Sequence, residues 1–94
     1  MVSKYTGSVG SNETLYNITA TKNGSVRVKA TLSNDIWSLY TVSINGDIVS
    51  EVSANGNTSN LAGMLFVDEV VVYKGQTVTV AGNRLVYLDI ASNL

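Results

Sequence analysis

Apolar and polar side chains alternate along most of this chain with a period of two residues, the spacing of strands that bury one face. The clearest case is Ser25–Leu32, where Val26, Val28, Ala30 and Leu32 fall on one side and Arg27, Lys29 and Thr31 on the other. Thr14–Thr21 repeats the pattern with Tyr16, Ile18 and Ala20. Ile36–Ile44 carries Tyr40, Val42 and Ile44 in phase, and Ile48–Val52 returns after Asn45-Gly46-Asp47. Thr77–Ala81 alternates Val78 and Val80 with threonines, and Arg84–Ala91 closes the series. Met64–Lys74 is more continuously apolar and reads as a central strand buried on much of both faces, with Asp68-Glu69 marking a bulge or turn.

The segments between these strands have turn chemistry. Asn23-Gly24 and Asn45-Gly46 tolerate positive φ at both central positions, so each predicts a type I′ hairpin. Lys74-Gly75 and Gly82-Asn83 predict further tight turns. Residues 1–13 read as an extended arm with at most one edge strand, followed by a single domain over 14–94. Residues 53–63 read as a long polar loop that crosses between sheets or carries a contact. The expectation is an all-β antiparallel sandwich of seven to eight short strands, jelly-roll or Greek-key in connection, with no helix.

Composition agrees with this reading. Valine, serine, asparagine, threonine and glycine number 14, 11, 10, 9 and 8 of 94 residues, which favours strands and turns over helices. The chain has no Pro, Cys or His, which removes disulfides, thiolate nucleophiles and histidine acid–base chemistry together. Formal net charge is −1, and the six basic residues Lys4, Lys22, Arg27, Lys29, Lys74 and Arg84 are dispersed. No basic footprint for a nucleic acid exists. Nor is there an apolar run long enough for a membrane helix or a signal peptide. From the Met-Val-Ser-Lys start, the expectation is an unprocessed product made in a cytoplasm.

Candidate chemistry is sparse. Paired carboxylates would have to come from Glu13, Asp35, Asp47, Glu51, Asp68, Glu69 and Asp89. The adjacent pair Asp68 and Glu69 points to opposite faces of a regular strand. Ser–Lys pairs occur at the frequency that 20 Ser and Thr residues produce by chance. The sequons at Asn12, Asn17, Asn23 and Asn57 are read as compositional. The expectation is no catalytic residue, no metal and no cofactor.

The aromatic and large apolar residues say more. Trp37 and Leu39 are out of phase with Tyr40, Val42 and Ile44. Leu85 and Tyr87 are out of phase with Val86, Leu88 and Ile90. Two strands that are apolar on both sides need more cover than one two-layer core provides. Either a bulge near Ser38 or a covering arm buries these side chains within the monomer, or Trp37, Leu39, Leu85 and Tyr87 form an intersubunit surface. A third reading is a sugar platform, with Trp37 stacking on a pyranose and Asn55, Asn57 and Asn60 bonding its hydroxyls.

The segment LFVDEVVVYKGQTVTVAGNRLVYLDI (Leu65–Ile90), preceded by VRVKATLSN and YTVSINGDIV, resembles the small β-sandwich accessory proteins of tailed-bacteriophage virions. These are head decoration or cement proteins and modules of fibres and spikes, with a G-x-T-V-x-V element near the end. The resemblance spans residues 14–91, and no functional residue carries over. It implies a structural, non-catalytic virion protein, commonly trimeric, that binds a capsid or another virion protein by surface burial. The docking surface would be residues 1–13 or the 53–63 loop. The alternative is a carbohydrate- or receptor-binding module of the fibre-tip or adhesin type.

Overall fold

The computed structural model describes residues 1–34, 37–55 and 63–94. They form eight strands: β1 (Val2–Gly7), β2 (Glu13–Thr19), β3 (Gly24–Leu32), β4 (Trp37–Ile44), β5 (Asp47–Asn55), β6 (Leu65–Val72), β7 (Thr77–Asn83) and β8 (Leu85–Ser92). No helix occurs among the described residues. The strands make two four-stranded sheets, β1-β8-β3-β6 and β2-β7-β4-β5, and every pairing is antiparallel.

This order is a jelly roll. The pairs β1/β8, β2/β7, β3/β6 and β4/β5 are nested, as in one long hairpin wound into two layers. Every connection except β4–β5 changes sheet. The tip of the long hairpin is Asn45-Gly46, with φ of 52° and 86°. Positive φ at both positions matches the right-handed strand twist, as the sequence predicts there.

At Asn23-Gly24 the predicted hairpin does not form, because β2 and β3 lie in different sheets. Asn23 instead accepts a hydrogen bond on Oδ1 from Lys74 N (2.8 Å), and Ala20 N donates to Gln76 O (2.8 Å). The β2–β3 corner is thereby tied to the β6–β7 corner. Gly24 is required there by close approach: a Cβ would collide with Asn93 Oδ1, which accepts from Ser25 N (2.8 Å).

The core lies between the sheets. Val26, Val28, Ala30 and Leu32 of β3 meet Leu88 and Ile90 from β8 and Tyr40, Val42, Val78 and Val80 from the other layer. All four β3 positions expected to face inward are buried. The reason is that β3 lies inside its sheet, between β8 and β6, so its inner side chains meet the opposite layer away from the rim.

Two further expectations fail. Met64–Lys74 does not contribute a central strand: among the described residues β6 is an edge strand that pairs with β3 alone. Its register is unbroken over eight pairs, so Asp68-Glu69 is neither bulge nor turn. The other error is at the start of β8. The β7–β8 turn is Arg84 alone (φ 54°), and the register shifts between Leu32 and Thr31, whose partners are Leu85 and Tyr87. Val86 is the extra residue. This bulge turns Leu85 inward and leaves Val86 outside. Leu85 packs over Gly82, where a Cβ would come within 2.8 Å of Leu85 Cδ1.

Candidate functional site: two unlike outer faces

The residues proposed as one intersubunit surface fall in three places. Trp37 and Leu39 lie on the outer face of the second sheet, Trp37 exposed and Leu39 half-buried. Tyr87 is half-buried on the outer face of the first sheet, opposite Thr31. Leu85 is a core residue, 2% exposed. Strands β4 and β8 belong to different layers, and the bulge at Val86 reverses Leu85, so no single surface joins the four. Of the asparagines, Asn55 is exposed and pairs directly with Trp37 across β4 and β5. Asn57 and Asn60 lie outside the described residues.

Residue 1 is followed by β1 at one edge of the first sheet, and β6 forms the other edge. Along β6 the side chains separate by parity. Phe66, Asp68, Val70 and Val72 turn inward, while Leu65, Val67, Glu69 and Val71 turn outward, followed by Tyr73. Leu65, Val67, Val71 and Tyr73 are each 58–61% exposed, so the outer side of this edge is an apolar stripe broken only by Glu69. Sequence reasoning missed it by assigning β6 two covered faces. Beside it, the middle of the sheet is charged. Arg27 Nη2 lies 3.9 Å from Asp89 Oδ2, and Asp89 Oδ1 accepts from Thr6 Oγ1 at 2.7 Å and Ser3 Oγ at 3.4 Å.

The second sheet presents different chemistry. Its outward positions include Asn17 and Thr19 on β2, Thr77, Thr79 and Ala81 on β7, Leu39, Thr41 and Ser43 on β4, and Glu51, Ser53 and Asn55 on β5. None of its four strands contains a lysine or arginine. The three strand-borne cations, Lys4, Arg27 and Lys29, are all in the first sheet. Trp37 stands at one end of this cation-free face. Its main-chain oxygen accepts from Asn83 Nδ2 (3.2 Å), while Asn83 Oδ1 accepts from Asn12 N (3.0 Å). Asn83 therefore uses both ends of its amide to fix the start of β4, and it is a positioning residue.

Where edge strands β5 and β6 meet, a polar cluster closes the sandwich. Ser50 Oγ donates to Asp68 Oδ2, and the Tyr40 hydroxyl is hydrogen-bonded in the same cluster. Burial, and then the negative charge of Asp68, push the Tyr40 hydroxyl above its ordinary pKa. Asp68 and Glu69 diverge, one inward and one exposed outward, so they form no facing pair. Among the described residues there is no enclosed pocket and no group of three or more acidic side chains placed to hold a metal ion.

Comparison of the chain with protein-family models, with curated proteins and with solved structures finds no match.

Proposed function

We propose that this chain is a non-catalytic structural protein that works by surface association: a homo-oligomer, assembled through the outer side of β6, that decorates or cements a phage capsid. The observation that carries the reading is the apolar stripe Leu65, Val67, Val71 and Tyr73 on an edge strand. Natural edges are blunted by charged side chains, lysine above all, by proline, by bulges, by inward-pointing charges or by covering segments. β6 has no lysine, no proline and no bulge; its charges are Asp68, turned inward to Ser50, and Glu69. Exposed apolar patches of this kind mark contacts.

Magnitudes indicate how such a contact must be built. Covering four half-exposed side chains contributes about 4–6 kcal/mol. Association costs about 4–15 kcal/mol in lost freedom and ordering. The stripe alone is marginal, so the open backbone of the edge must add hydrogen bonds to a neighbouring strand. The jelly-roll order supports the capsid assignment only by analogy, since that architecture serves viral shells and lectins alike. The bacteriophage resemblance of residues 14–91 supports it from the sequence side and favours three copies. A cement acts by binding the assembled shell better than its free parts, which shifts the equilibrium toward assembly.

Sedimentation velocity over a range of concentration tests the first step. The parent chain is expected to form a discrete oligomer, and Val67→Lys with Val71→Lys to give monomers that melt at nearly the parental temperature. A parent that stays monomeric throughout overturns the proposal. The capsid step is tested by gene order, where neighbours encoding capsid, portal or tail proteins support it and neighbours encoding none of these count against it.

A further inference from the structure

We infer that the outer face of the second sheet is a binding platform for an uncharged polysaccharide, anchored by Trp37. Four features on that face point to this ligand chemistry. First, the anchor is a single indole, 59% exposed, at the end of β4. Aromatic faces cover the apolar C–H side of a pyranose while leaving its hydroxyls free to bond elsewhere. Second, the backbone that bears the indole is held in place. Asn83 bonds the Trp37 carbonyl to the β1–β2 loop, so the ring is presented from a fixed backbone.

Third, the surface leading away from the ring carries hydroxyls and amides at strand spacing, interleaved with Leu39, Ala81 and the exposed Ile48 opposite Ser43. Asn55 is opposite Trp37, Ser53 is opposite Leu39, and Thr41 and Ser43 follow on β4 with Thr79 beside Ser43. Hydroxyl and amide groups both donate and accept, which is what sugar hydroxyls require. Eight residues of β4 extend about 26 Å, room for several successive sugar units. Fourth, the charge is right for a neutral ligand. The four strands carry no cation, and Glu51 lies opposite Thr41 on the exposed edge strand. A polyanion such as single-stranded nucleic acid or an acidic polysaccharide would find no cation along the strands to replace its counterions, Arg84 in the turn after Asn83 being the basic residue next to this end of the face.

Because the chain contains a single tryptophan, its fluorescence reports on this site alone. The test titrates the full chain with cellohexaose, xylohexaose, mannohexaose and hexa-N-acetylchitohexaose. Polygalacturonate oligomers and oligo-dT serve as charged counter-probes. At least one neutral oligosaccharide is expected to change the emission, with a Kd of about 1 mM or tighter. Amide shifts in NMR should map to Trp37, Leu39, Thr41 and Ser53. Trp37→Ala, followed by NMR, should weaken binding about tenfold or more, as loss of an aromatic anchor does. Thr41→Lys should weaken it too, while Val67→Lys, on the other sheet, should leave per-site affinity unchanged. The inference is overturned if no neutral oligosaccharide binds, if only the charged probes bind, or if Trp37→Ala binds as well as the parent. A monomeric parent would refute the proposed assembly without affecting this result.

Discussion

Tyr40 is the largest side chain fully enclosed by the sandwich, and its hydroxyl reaches the seam where Ser50 and Asp68 join β5 to β6. An ionised phenolate there would be both desolvated and repelled by Asp68. The folded state therefore holds the proton more tightly than the unfolded chain, whose tyrosines titrate near pH 10 (about 10 in model peptides). The sign follows. Stabilisation from this group is complete below about pH 10 and is lost as pH rises through the raised folded value. Tyr40→Phe should cost about 0.5–1.5 kcal/mol near neutrality, through the lost hydrogen bond. The difference between variant and parent should shrink above about pH 10. Urea denaturation across this range checks it, and a gap that stays constant with pH contradicts the account.

At the scale of elements, a strand is legible where one face packs on the opposite layer, the other does not and the register is unbroken. The alternation in β3 is clean on these terms along its whole pairing with β6. Asn45-Gly46 is legible because a two-residue turn demands two positive φ values, whereas Asn23-Gly24 satisfies other needs, a side-chain acceptor and space beside Asn93. A bulge has no residue-type signature, so nothing marked Val86 as the extra residue, and Leu85 was assigned to the wrong face. Burial on both faces and exposure at an edge give the same apolar run, which is how the β6 stripe escaped notice. Of the candidate site, Trp37 and Asn55 were readable as a pair of residue types. Their direct apposition, and the role of Asn83, depend on strand register that only long-range pairing sets. Edge strand β1 offers a test at this scale. Asp89 holds it through Thr6 and Ser3, so Asp89→Ala should cost about 1–2 kcal/mol. Hydrogen exchange should show β1 amides losing protection before those of β3.

For the whole molecule, the nested pairing has a kinetic cost. The first and last strands pair, as do the second and seventh and the third and sixth, so most contacts wait on closure of long loops. Refolding should fall in the slow range for small domains, about milliseconds to seconds. The chain has no proline, so no isomerisation phase of about 10–100 s should follow at low concentration. Stopped-flow fluorescence of Trp37 checks both, and a slow phase that grows with protein concentration would report association.

The outer faces of the two sheets point in opposite directions, so copies joined along β6 as proposed would leave the Trp37 faces uncovered. An assembly of this kind would present several shallow, individually weak sites to one long polymer. Once the first has engaged, the others bind at a local concentration of about millimolar, and the array can hold on a hundredfold or more (about 10²–10⁴) beyond any member alone. Grip on a repetitive surface would then be set by valency, and loss of the β6 contact would release the protein without altering a single sugar contact.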